Sequence, residues 1–384
     1  MNKRQIRFLA ILICGLAVMS LTATETRVSS MGGIGFYIRD NSNIFYFPGT
    51  VLQYQNQAVA ELRAKNNDNL YTVGVHLAPS QGSTYGVYLN RPLSLPQDIL
   101  EDVVPDLQLD RCTTLFYGGQ SSGYDYGVML SVATDKNEED SGEETVTQTA
   151  KYIGLNAGVS VDDYDLGLQI DLPNAKWEFA DDEDKWHGIG IGLNGRYFSQ
   201  RSDNMEAVLL AVLYYGSANR KWEEEDLDVD YGKLRLGLGG AINYRIDQNN
   251  MLVLAVEAFG YDKDNMNVKD GTETTYTVTT LPGIFVGVEA QVKSWLLGRL
   301  GARQVYQSVS EKTKPDGGDE SEEVTYSSSF GVSFGLGIVF GNLQLDALFN
   351  EGLLFDGPNF ISGHDNALAN RISLTYHFNN PGGK

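Results

Sequence analysis

Two glycine-rich stretches carry the spacing of known chemistry. GIGLNG, Gly190 to Gly195, has the G-x-G-x-x-G spacing that lets a backbone approach a dinucleotide pyrophosphate, but a helix must follow, and RYFSQRSDN supplies none. GVSFG, Gly331 to Gly335, has the G-x-S-x-G spacing of a nucleophile elbow, which needs a sharp strand-to-helix turn. Ser333 lies instead within an unbroken alternating run and reads as an inward-facing hydroxyl. The histidines His76, His187, His364 and His377 share no metal-binding spacing. DLDVDYG, Asp226 to Gly232, is one residue off the opening of a calcium loop, and Glu223 to Glu225 add oxygens. Ca2+ at an acidic extracellular loop is one expectation there; a solvated acidic surface is the other. No cofactor site emerges, nor any set of nucleophile, base and orienting group, so the chain reads as a non-enzyme.

Nine charges are more informative: Arg196, Arg235, Arg245, Glu257, Glu289, Lys293, Arg299, Arg303 and Asp346. Each falls on the polar side of a stretch with a period of two. In LRLGLGGAINYRID, Leu234 to Asp247, the side chains of Leu234, Leu236, Leu238, Ile242, Tyr244 and Ile246 share one face, and Arg235, Asn243 and Arg245 share the other. On a lipid-facing position near the bilayer midplane an Arg or Lys costs roughly 2–4 kcal/mol, so the nine are placed inward, lining a lumen. A network of ion pairs and a substrate-selective constriction are both open readings of them.

The elements that would hold these residues are strands. GIFVGVEAQVK, FGVSFGLGIVF, IGLNAGV, YDLGLQIDL, GIGIGLNGRYF and LQLDALFN all alternate, and sixteen such segments run from about Gln57 to Phe378. A soluble sandwich alternates too, so the connections decide. They switch between short (SVDD, SQRSDN, FGN) and long (TDKNEEDSGEET, ANRKWEEEDLDVD, EKTKPDGGDESEE), the signature of an outer-membrane barrel with its long loops outside the cell. The fold expected is therefore all-β: a transmembrane antiparallel up-and-down β-barrel of 14–16 strands. Aromatic residues are expected to form two girdles, with Trp177, Trp186, Trp222, Tyr231 and Tyr261 toward the long loops, and Tyr197, Tyr244, Trp295, Phe340 and Phe378 toward the short turns. RISLTYHF, ending at Phe378, is the closing strand, which pairs with the first and removes both edges.

Composition agrees with this reading. Of 384 residues 42% are hydrophobic and 21% charged, and a formal charge of -21 excludes a nucleic-acid partner, because nothing would neutralise a run of phosphates. MNKRQIR followed by FLAILICGLAVMSLTA reads as a signal peptide over residues 1–23, with Ala23 at the cleavage site; Ile13 before Cys14 argues against a lipid anchor. Cys112 is then the lone cysteine of the exported chain. No later stretch reaches roughly 18 uninterrupted apolar residues, so a membrane would be crossed by strands.

SSMGGIGFYIRDNSNIFYFPGTV, Ser29 to Val51, precedes the strands and does not alternate. It resembles the N-terminal region of outer-membrane barrels of the long-chain fatty-acid transporter (FadL) superfamily. The matching positions are Met31, Gly32, Gly33, Asp40, Asn43 and Pro48, with Phe47-Pro48-Gly49 where that family has Asn-Pro-Ala. The resemblance implies a plug over residues 24–50 inside a barrel over 51–384, about fourteen strands, a bacterial outer-membrane location in contact with lipid, and passive uptake of small, hydrophobic molecules. Type IX secretion shuttle barrels share this N-terminal look, so a structural or secretion-partner barrel with a sealed lumen is the alternative.

Overall fold

A computed structural model describes residues 25–65, 68–80, 82–93, 104, 107, 109, 111–141, 144–180, 182–222, 226–247, 250–349 and 369–378. Residues 1–23, expected to be a signal peptide, and His364 and Glu223 to Glu225 lie outside the described residues. A short helix, α1 (Thr26–Ser30), and three 3-10 turns (Gly35–Tyr37, Asn41–Phe45, Pro48–Gln53) come first. Sixteen strands follow: β1 (Gln57–Lys65), β2 (Asp68–Leu77), β3 (Ser83–Pro92), β4 (Arg111–Ser121), β5 (Tyr124–Ser141), β6 (Glu144–Val161), β7 (Tyr164–Phe179), β8 (Asp182–Ser202), β9 (Met205–Trp222), β10 (Leu227–Asp247), β11 (Asn250–Val268), β12 (Glu273–Lys293), β13 (Leu296–Lys314), β14 (Ser321–Phe340), β15 (Leu343–Phe349) and β16 (Ala369–His377).

Each strand pairs antiparallel with its sequence neighbours, and β1 pairs with β16, so the sheet closes on itself. The number is sixteen, where the family resemblance implies about fourteen. The first hairpin belongs to the wall: Gln57 faces His377 on one side and His76 on the other. Every strand has two neighbours, as a membrane strand requires because hydrocarbon offers no hydrogen bonds, and the ladder is shortest between β14 and β15, which pair over Gly335 to Phe340 among the described residues.

Alternation decides which face meets lipid. Along β16, Ile372, Leu374, Tyr376 and Phe378 are exposed on the outside, while Arg371 and Ser373 are buried within. Short hairpins are made by two-residue turns. Ser122 and Gly123 both have positive φ, 46° and 92°, the conformation whose twist matches that of the strands. The wall has uneven height: β8, β10 and β12 have 21 residues each and β15 has 7. About 9–11 residues cross a membrane, so β5 to β14 stand well above it on the long-loop side. The protein is a closed β-barrel of the outer-membrane type, with an apolar belt outside and a polar, partly aromatic interior.

Candidate functional site

Residues 25–54 lie against the inner wall at the short-turn end, and contacts on widely separated strands hold them there. Gly32 N donates to Ser333 Oγ on β14 at 2.9 Å, Asn156 Nδ2 on β6 donates to the Phe45 carbonyl at 2.7 Å, and Asn243 Nδ2 on β10 donates to the Tyr37 carbonyl at 2.9 Å. The wall makes room with glycine: a Cβ on Gly167 would fall 1.8 Å from Tyr46 O, and one on Gly301 would fall 2.0 Å from Gly32 N. The six motif positions are part of this packing. Met31 is fully buried. Gly32 and Gly33 have φ of 85° and 82°, a region an L side chain rarely adopts. Asp40 Oδ1 accepts from Ser42 N and starts the second 3-10 turn; Asn43 Nδ2 donates to the carbonyls of Gly35 and Ile38; Pro48 opens the third turn and sits over Gly127 and Gly158.

Charge joins the segment to the wall. Arg27 Nη1 donates to Asp40 Oδ2 at 2.9 Å, and its Nε and Nη2 donate to Glu289 at 2.9 and 2.8 Å. Arg299 then donates to Glu289 Oε2 and to Asp346 Oδ1, each at 2.6 Å. The row Asp40, Arg27, Glu289, Arg299, Asp346 alternates in sign, so each charge taken out of water is compensated. Burial disfavours the Arg27 cation, yet Glu289 and Asp40 outweigh it and hold the guanidinium above its ordinary pKa. For Tyr54, burial and then Asp40 push the phenol up, so it stays protonated.

The nine sequence-derived charges differ in their surroundings. Glu289, Arg299 and Asp346 meet in the row just described. Arg196 is buried, donates from Nε to Asp165 Oδ2 at 2.7 Å and from Nη1 to the Ile38 carbonyl at 3.0 Å, and lies over the Phe47 ring. Arg235 pairs with Asp262 at 2.6 Å. Glu257 is half-buried beside Gly260 and Gly283. Arg245 and Arg303 are exposed, and Lys293 is exposed at the end of β12, past a register shift between Gln291 and Lys293. Arg245 lines a small cleft at the short-turn end with Arg27, Arg39 and Glu206. Sequence reasoning missed Asp165, Arg220, Asp184 and the Glu61, Arg371, Glu25 set. Arg220 and Asp184 sit in stretches read as loop, although the alternation that places Val208 inward continues unbroken to Arg220.

Toward the long loops the interior changes character. Trp177, Trp186, Trp222 and Tyr231 occupy inward positions, and only Tyr261 of the expected outer girdle faces out, with its ring stacked on Phe259. Trp186 is 1% exposed and packs with Tyr152, Ala150, Ala175, Val104, Leu107 and Leu109. This corrects the expectation of two girdles: indole rings above the bilayer gain more by covering one another inside than by lying at an interface they have already passed. The girdle near the short turns is where it was expected, with Tyr244, Trp295, Phe340 and Phe378 exposed and Tyr164 stacked on Tyr197 at 4.6 Å.

A polar layer lies between the two halves. Asp171 accepts from Tyr152 Oη at 2.6 Å, Gln169 Nε2 at 2.7 Å and Tyr214 Oη at 3.3 Å, and Arg91 donates to Thr114 and Ser131 with its guanidinium over Phe45. The tempting motifs are explained by the wall. Gly190 lies inward under Tyr214, and Ile189, Ile191 and Leu193 face lipid. His76 is a satisfied core residue, with Nδ1 at 2.6 Å from the Tyr54 carbonyl and Nε2 at 2.8 Å from Tyr88 Oη. Asp228 and Asp230 both accept from Asn219 Nδ2, and among the described residues no three His, Cys, Asp or Glu side chains converge as a metal requires.

No protein-family model and no curated protein sequence matches the chain. Among solved structures, the CymD monoaromatic hydrocarbon channel is similar at 11% identity over 92% of this chain and 97% of that one, TM-score 0.41. The toluene transporter TodX of Pseudomonas putida is similar at 10% identity over 94% and 100%, TM-score 0.40. The alcaligin outer membrane receptor FauA of Bordetella pertussis is similar at 8% identity over 83% and 75%, TM-score 0.37. Scores this low assign no family and no substrate.

Proposed function

We propose that this outer-membrane barrel is a passive channel for small hydrophobic molecules, with residues 24–50 acting as its plug, as in the long-chain fatty-acid transporter superfamily that the N-terminal segment resembles. The observation that carries the proposal is the inward placement of Trp177, Trp186 and Trp222 with Tyr152 and Tyr231 at the outer end of the lumen. Water-filled pores line their interiors with polar groups, whereas aromatic side chains on the inner wall offer apolar contacts to an apolar solute. The proposal gives the interior no catalytic role.

The second reading, a sealed structural or secretion-partner barrel, is favoured by the ion-paired packing of residues 25–54. Protein reconstituted in liposomes separates the two. A channel admits a small aromatic probe such as toluene faster than empty liposomes do, and deletion of Met31 to Pro48 raises ion conductance. A sealed barrel passes no probe and co-purifies with other proteins in mild detergent.

A further inference from the structure

On the described strands, Arg196, Arg220, Arg235, Arg299 and Arg371 face inward, each against a carboxylate. Lys233 also faces inward, against Asp262 and Asp264, whereas on β5 to β9 the lysines lie outside, just above the apolar belt. The belt ends at Val132, Ile153, Leu172 and Ile189, all exposed. Two residues farther along the strands, Lys151 stands between Thr134 and Asn174. It is exposed and has no carboxylate partner among the described residues. Two residues beyond that row, Lys176 on β7, Lys185 on β8 and Lys221 on β9 face one another directly, with Lys136 on the same level. The carboxylates of Glu138, Glu178 and Glu183 form the next row out.

Like charges directly opposite on neighbouring strands destabilise a sheet. Glu183 offsets this for Lys176 and Lys185, and Lys221 reaches Asp228 only at 3.7 Å. These exposed pairs are worth little in water. Height explains the arrangement better. At about 3.3 Å per residue and a strand tilt near 40°, two residues rise roughly 5 Å and four roughly 10 Å along the membrane normal, which spans the headgroup layer of one leaflet. A lysine there can lower its ammonium along its flexible stem. At the other end of the barrel the equivalent outward positions carry aromatic rings, and Lys293 is the lone lysine among the described residues there.

We infer that the outward face of β5 to β9 binds the phosphate groups of outer-leaflet lipid headgroups, with Lys151, Lys176, Lys185 and Lys221 as the contacts. The occupant is a phosphorylated membrane lipid, because the cations lie between the apolar belt and the carboxylates, where a headgroup phosphate sits. Purified protein in detergent, titrated with diphosphorylated lipid A and read by native mass spectrometry, should retain the lipid. Dephosphorylated lipid A should bind far more weakly, and inorganic phosphate at equal concentration should not compete. The combined variant Lys151→Gln, Lys176→Gln, Lys185→Gln should bind lipid A roughly a hundredfold more weakly, and the same three positions changed to Arg should retain it. Equal binding of the two lipids by the parent protein, displacement by inorganic phosphate, or a folded Gln variant that binds as the parent does would each overturn the inference. If the Gln variant does not fold, the comparison of the two lipids on the parent protein decides.

Discussion

Arg27 donates two hydrogen bonds to Glu289, 262 residues away in the chain, and so ties the N-terminal segment to the wall at β12. Replacing Glu289 with Ala leaves Arg27 with Asp40 alone and Arg299 with Asp346 alone, and removes the link between the segment and β12. Losing one member of a buried pair costs about 3–5 kcal/mol, so local release of the segment should rise on the order of a hundredfold. The labelling rate of a thiol at Ser30→Cys, a buried position, measures it. An unchanged rate would show that packing alone holds the segment.

The glycines beneath the segment give a second handle. Gly167→Ala pushes a methyl group into the Tyr46 carbonyl and should destabilise by about 1–3 kcal/mol. Gly237→Ala meets only Val212 Cβ at 3.6 Å and should be neutral or slightly stabilising. Urea midpoints read from heat-modifiable gel mobility would rank the two variants.

Arg196 and Arg245 alternate alike in sequence but differ in surroundings. Arg196→Ala strands the buried Asp165 carboxylate and should cost about 3–5 kcal/mol. Arg245 is exposed, and its replacement by Ala should stay within about 0.5 kcal/mol. The same unfolding measurement decides, and equal losses would refute the assigned pairing.

Leu374→Arg and Thr375→Arg differ by one position and by the whole wall. Leu374 is exposed on the lipid side, where Arg should cost roughly 2–4 kcal/mol, and Thr375 points to the lumen, where it should be far milder. The folded fraction in outer-membrane preparations tests the register. A more damaging lumen substitution would reverse it.

Alternation made much of the wall legible in advance. A period of two is a property of consecutive residues, so LRLGLGGAINYRID declared its two faces, and RISLTYHF its role as closing strand, without knowledge of any partner. The same period placed Gly190 and Ser333 within strands, on the inward face, where the structure has them. It failed where strands outran the membrane. Above the bilayer the outward face meets water, so the apolar side that marks a membrane strand is lost, and Trp186, Arg220 and Asp184 look like rim or loop in sequence although the strands continue through them.

By itself the sequence determined the run of strands, their inward and outward faces and the acidic balance, because each is set by neighbours along the chain. Stretches that look like long loops, such as TDKNEEDSGEET and NAKWEFADDEDK, are mostly strand, with Ser141 paired to Glu144 and Phe179 to Asp182. The tertiary structure alone decided the sixteen-strand closure, the row Asp40, Arg27, Glu289, Arg299 and Asp346, and the gathering of tryptophans inside the outer lumen. Those depend on which strands the ring brings side by side and on what the N-terminal segment meets across it. Ring closure is a global condition, and it places together residues that no local spacing connects.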